Sequence, residues 1–142
     1  MTENRLLPTT LEADKPMNIR VAGNLSRLGI LLLLSLDVAA QQRLSPAEAK
    51  QHVGEIATVC GLVASTKFAA GTRGQPTFLN LDRPYPNQIF TILIWGTDRS
   101  RFGEPELEFR EKRVCVSGEI AEYRGVPEIV LSDPARLTVQ NK

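Results

Sequence analysis

Histidine is almost missing from this chain and sulfur is scarce: one His, two Cys, two Met and a single Trp stand among 142 residues. A lone imidazole, His52, excludes a His-based metal cage. Two sulfurs and one distant nitrogen fall short of the four ligands of a structural zinc site. Neither Gly-x-x-x-x-Gly-Lys nor Gly-x-Gly-x-x-Gly occurs, so the two common phosphate-cradling fingerprints are absent. No Ser/His/Asp set and no Cys/His pair can be assembled. The acids Asp82, Asp98 and Asp133 lie in or beside turns, where Asp is favoured for its local geometry. A protein without catalytic residues, metal or cofactor is therefore expected. Strong charge of either sign is missing too: 17 Lys+Arg against 16 Asp+Glu leave a net charge of +1. Proteins that bind nucleic acid gain affinity by neutralising phosphates and are usually clearly basic. If phosphate is the ligand here, the basic residues must gather on one face. There is no internal repeat and no low-complexity segment.

What is present describes one modest globular domain. Apolar residues make up 42% and charged ones 23%, an ordinary balance for a packed core. Nine prolines and ten glycines punctuate short apolar runs, which favours a β-rich fold with many turns. The first forty residues stand apart. Arg20 and Arg27 precede an apolar run from Leu28 to Leu36, and Val38, Ala39 and Ala40 follow it. That is the three-part pattern of a secretory signal peptide, with cleavage expected after Ala40. The run is too short to cross a bilayer, so no membrane span is expected after cleavage. Residues 1–16 do not fit such a leader, and Met17 is read as the start. A periplasmic or secreted domain over residues 41–142 is expected, with thirteen basic and twelve acidic side chains.

Within that domain, "LSPAEAKQHVG" reads as a short helix. Ser45 is the N-cap, Pro46 the first turn, Glu48 the capping-box partner, and Gly54 the stop. "EIATVCGLVASTKF" reads as a long first strand, bent or bulged at its central Gly61. "AAGTRG" is a turn, "PTFLNLD" a second strand, "RPYPN" a rigid turn and "QIFTILIWG" a third strand. "TDRSRFGEPELEFREK" reads as a connection with short helical turns. "RVCVSGEIAEYRG" is a fourth strand with Gly118 in its middle, and "VPEIVLSDPARLTVQ" a fifth with an extension. Five strongly coiled strands in this order suggest a small closed barrel; a β-sandwich is the alternative.

The segments "VCGLVAST", "PTFLNLDRPYPNQIFTILIWGTDRSRF" and "RVCVSGEIAEYRGVPEIVLSDP" together resemble the OB-fold nucleic-acid-binding domains of exported bacterial proteins, some of them attached to nucleases. The likeness covers about Val53 to Val139. "FLNLD" also resembles the second strand of the OB-fold anticodon-binding domain of class II aminoacyl-tRNA synthetases, where the aromatic stacks on an RNA base. The resemblance implies an all-β, five-stranded OB-fold barrel with a short N-terminal helix and a small helical connection between strands three and four. It also implies single-stranded DNA or RNA as partner.

Strand alternation then sorts the side chains. Leu79 and Leu81 inward put Phe78 and Asn80 outward. Ile92 and Ile94 inward put Thr91, Leu93 and Trp95 outward, although the inverted register of strand three stays open. Phe90 is expected in the core and Tyr85 at one barrel end. OB-folds bind oligonucleotides across strands two and three and the flanking loops. Lys67, Arg73 and Arg124 are thus expected near phosphates, with Phe78, Asn80, Trp95 and Tyr123 beside them; scattered solvated arginines are the plainer alternative. Arg99 and Asp98 are expected to pair locally, and the acidic run "EPELEFREK" to lie away from the ligand. Cys60 and Cys115 fall on strands that pair in an OB barrel, so an exported protein would join them in a disulfide, two buried thiols being the alternative. A protein, glycan or small-molecule ligand, or an adaptor role for a separate secreted nuclease, remains the competing reading.

Overall fold

The computed structural model describes residues 41–141; the expected leader and its cleavage point lie outside the described residues. The fold is mostly β, organised around one long strand. β2 (Ile56–Phe68) buries Ala57, Val59, Gly61 and Val63 on one face. Its first half pairs antiparallel with β5 (Arg113–Glu119), from Ile56↔Glu119 to Leu62↔Arg113. Its second half pairs antiparallel with β3 (Thr77–Leu81). The handover occurs at a register shift between Val63 and Ser65, so Ala64 is the extra residue of a bulge. The sequence places this bend at Gly61, where the ladder in fact runs unbroken. Gly61 is instead a point of close approach. A Cβ there would sit 2.6 Å from Pro46 Cγ and 2.9 Å from Asp82 Oδ1.

β4 (Phe90–Ile94) pairs antiparallel with β3 and parallel with β7 (Val126–Val130). β6 (Ala121–Tyr123) forms a hairpin with β7, β8 (Leu137–Val139) adds to β5, and the short β1 (Arg43–Leu44) lies parallel on β2. The order is β6-β7-β4-β3-β2-β5-β8. This corrects the five-stranded closed barrel: the eight strands form an open sheet, seven of them on this path and β1 beside β2. The expected fourth strand divides at Ile120, whose N–H donates to the Glu55 carbonyl (2.9 Å) and whose carbonyl accepts from the Gly54 N–H (2.7 Å). Beyond Ile120 the chain leaves β2 and pairs with β7 as β6. Ile120 alone joins β5 to β6, and β2, shared by both parts of the sheet, carries the ladder that wraps one core. Gly118 serves the wrap, since a Cβ there would lie 2.9 Å from Ile129 Cγ2.

The core is drawn from every main strand: Val59, Val63, Leu79, Leu81, Phe90, Ile92, Ile94, Val114, Val116, Ile120, Ile129 and Leu131 are nearly inaccessible. Each such side chain contributes about 1.5–3 kcal/mol relative to an exposed one. Phe90 is in the core as its alternation requires. The connection between β4 and β5 holds two single-turn helices, α1 (Gly96–Arg99) and α2 (Pro105–Glu108), separated by a 3₁₀ turn, Ser100–Phe102. Phe102 and Phe109 are buried from this segment. The expected Asp98–Arg99 pair is replaced. Arg99 lies 4.1 Å over the Phe68 ring and pairs with Glu106, while Asp98 lies 3.7 Å from Arg101.

The expected N-terminal α-helix is a tight turn followed by a 3₁₀ segment, Ala49–His52. Val53 is extended and Gly54 has φ +89°, so the chain stops turning after one short segment. The sequence signal for the turn still operates. The Ser45 N–H (2.8 Å) and hydroxyl (2.7 Å) both donate to the Glu48 carboxylate. These bonds favour the ionised form and hold the Glu48 pKa below the usual glutamate value, the hydroxyl contributing most.

Cys60 and Cys115 are direct cross-strand partners in the β2–β5 ladder and form a disulfide, with Cα atoms 4.0 Å apart. It sits on the outer face beside the hydrogen-bonded Thr58 and Ser117 hydroxyls (2.7 Å). Among the described residues, no helix is long and apolar enough to cross a membrane.

Candidate ligand-binding cleft

The outer face of β2, β3, β4 and β7 is built in two neighbouring rows. Register places Lys67, Phe78, Leu93 and Val130 side by side, and in the next row Ser65, Asn80, Thr91 and Glu128. The polar row is wired together. Thr91 Oγ1 donates to Asn80 Oδ1 (3.2 Å), Asn80 Nδ2 donates to Ser65 Oγ (3.1 Å), and the Tyr85 N–H donates to the same hydroxyl (3.0 Å). Asn80 is only 3% exposed, so its role is to fix this floor rather than to project from it.

A cleft of about 470 Å³ opens over these rows. Lys67 and Phe78 form its floor at one end, and Asn80, Thr91 and Glu128 continue it. The turn bearing Tyr85 and Gln88 makes one wall, and the β6–β7 hairpin bearing Tyr123 and Arg124 makes the other. That hairpin is a two-residue turn, Arg124-Gly125, with Tyr123 paired to Val126. Both turn residues have positive φ, 50° and 81°, as a type I′ turn requires. An arginine is uncommon in that conformation. Its guanidinium lies 5.3 Å from the Tyr123 ring centre, so ring and cation are presented together. Glu128 is part-buried in this floor, and burial pushes its carboxyl pKa up. The buried Gln88 side-chain oxygen has no hydrogen-bond partner among the described residues.

Five of the residues singled out in sequence, Lys67, Phe78, Asn80, Tyr123 and Arg124, thus line one cleft. Arg73 and Trp95 lie outside its lining. Trp95 does fall on the outer side of its strand, but it covers the β2–β3 turn: a Cβ on Gly74 would meet its ring at 2.9 Å, and the Gly96 N–H donates to the Gly74 carbonyl (2.9 Å). Arg73 is exposed on that same turn. Tyr85, expected to cap a barrel end, is 73% exposed and joins the cleft wall. Sequence reasoning missed Gln88 and Glu128. The alternation of "VPEIV" could have found Glu128, because it shares a face with Val126 and Val130. Three other surface hollows of about 520, 450 and 550 Å³ include no aromatic side chain in their linings.

The chain has an OB-like fold. It superposes with a TM-score of 0.50 on an aspartyl-tRNA synthetase from Leishmania major, at 12% identity over 75% of this chain and 22% of that one. It superposes equally, with a TM-score of 0.50, on an OBody bound to hen egg-white lysozyme, at 20% identity over 70% of this chain and 93% of that one. The chain therefore spans under a quarter of the synthetase and nearly all of the OBody. No protein-family model matches it, and no curated protein matches it in sequence. At these identities the likeness is one of fold.

Proposed function

We propose that this protein is an exported, non-catalytic binding module that holds single-stranded nucleic acid across β3 and β4. One observation carries the reading: a single cleft combines the exposed rings of Tyr85 and Tyr123 and the half-buried ring of Phe78 with the cations Lys67 and Arg124. A ring facing solvent offers a stacking surface to any base, and flanking cations follow the sugar–phosphate backbone. The side of strands two and three is also where OB-folds place oligonucleotides. The Cys60–Cys115 disulfide and the leader-like pattern ending at Ala40 support an oxidising compartment.

Two cations imply two neutralised phosphates. For single strands the slope of log K against log salt is then about −1.4, so affinity falls roughly sevenfold between 50 and 200 mM salt. Fluorescence anisotropy with labelled eight-nucleotide (dA)8, (dC)8, (dT)8 and (rU)8 tests this. Saturable binding with that shallow slope supports the reading; no saturable binding of any of the four at 50 mM salt defeats it. Glu128, which has no cation partner among the described ion pairs, favours a second reading, a neutral glycan held by the same rings. Binding of neutral oligosaccharides but not oligonucleotides would select it. A protein partner, including a separate secreted nuclease, would bind without either.

A further inference from the structure

The floor of the cleft holds an acid where a purely electrostatic phosphate site would hold none. Glu128 and Phe78 lie two strands apart and one row out of step. At the spacing of a β-sheet their Cα atoms are roughly 12 Å apart along the floor. That gap has room for one base stacked on the Phe78 ring and one glutamate side chain reaching back toward it. The carboxylate makes no hydrogen bond or ion pair among the described residues, whereas its neighbours in the row are already committed, Thr91 to Asn80 and Asn80 to Ser65. Glu128 is therefore the free hydrogen-bond acceptor of the polar row. Of the other charged groups of the cleft, Lys67 lies on the far side of Phe78 in the floor and Arg124 on the hairpin wall.

We infer that Glu128 reads the edge of the base stacked on Phe78 and selects bases that carry an exocyclic amino group over thymine and uracil. The inference rests on the nucleic-acid reading above. An ionised carboxylate only accepts hydrogen bonds. Cytosine and adenine offer it an amino donor, and guanine offers two adjacent N–H donors. Thymine and uracil present one N–H between two carbonyl oxygens, which the carboxylate repels. A good side-chain-to-base pair discriminates by about tenfold or more.

Anisotropy titrations of (dA)8, (dC)8 and (dT)8 with the full-length protein and with Glu128→Gln test this at one pH and salt. The amide both donates and accepts, so it can pair with any of the three. About tenfold tighter binding of (dA)8 and (dC)8 than (dT)8, collapsing to within twofold in E128Q, is the expected result. If all three bind alike and Phe78→Ala weakens them equally, base stacking stands and the role of Glu128 falls. A preference that survives E128Q overturns the inference as well. If none of the three binds, both the inference and the nucleic-acid reading fall. E128Q changes no volume and breaks no described contact, and an unchanged circular dichroism spectrum confirms its fold.

Discussion

Removing the Cys60–Cys115 crosslink should cost a large share of the stability of this domain. The two residues are separated by 55 positions, so in the unfolded chain the bridge closes a long loop. The chain-entropy relation gives about 4 kcal/mol for a loop of that length. In the folded state the β2–β5 ladder already holds the two strands together from Ile56 to Leu62, so the bridge adds little order there and acts on the unfolded ensemble. Net stabilities of small domains are of the order of 5–15 kcal/mol, so about 4 kcal/mol is a substantial fraction. For a domain of about a hundred residues the melting temperature should drop by roughly 15–30 °C. Thermal melts by circular dichroism, with and without reductant, measure this directly. Cys60→Ala/Cys115→Ala should melt near the reduced wild type, a little lower for the lost packing of Cys115, which is 6% exposed. A drop below 5 °C in both preparations would refute the reasoning, because the unfolded chain would then gain little freedom from release.

Other outcomes follow from the two faces of the strands. Phe78→Ala should weaken oligonucleotide binding by about 1–3 kcal/mol by titration. Leu79→Ala, one residue along and fully buried, should instead lose about 2–5 kcal/mol in urea unfolding. Arg124→Ala should make the salt slope of oligonucleotide binding shallower by about 0.7, whatever the sequence of the strand. pH separates two glutamates. The Glu48 pKa is lowered in the folded state, so its contribution is present above the unfolded value near 4.5 and is lost as pH falls through the folded one. The Glu128 pKa is raised, so the folded protein binds the extra proton. Stability then falls as pH rises from about 4.5 through the raised value, a loss that E128Q removes. Urea titrations from pH 3 to 8 on wild type, E48Q and E128Q read both signs.

The three central strands were legible because each is bounded by turn chemistry and alternates. "TFLNL" and "FTILI" are β3 and β4, and β2 spans all but the first residue of its predicted run. The core position of Phe90 follows from that alternation, and the outward placement of Phe78 from alternation together with the resemblance of "FLNLD" to the synthetase strand. The bulge at Ala64 was not legible, because it is set by where β2 changes partners, and Gly61 drew the bend to itself. The break at Ile120 was hidden for the same reason: its backbone bonds go to Gly54 and Glu55, far away in sequence. β1, β6 and β8 are two or three residues long and exist only because an edge is available to pair with. In the cleft, Tyr123-Arg124 could be assigned from the hairpin position; Lys67 was expected near phosphates from the loop after the first strand, yet it lies on β2 opposite Phe78. Trp95 was legible as an outward ring, but its packing on Gly74 was not. Glu128 went unnoticed because a glutamate in a strand looks like ordinary solvated surface.

The cross-strand position of the cystine gives the protein a check on its own alignment. Sliding β2 along β5 by two residues keeps every apolar side chain on its proper side, so burial alone punishes that error weakly. Such a slide would set Cys60 opposite Arg113 or Ser117 and leave Cys115 on the diagonal, about 7–8 Å away, beyond ordinary reach for two sulfurs. Only the native alignment can be oxidised, and once oxidised it is the one alignment that cannot drift.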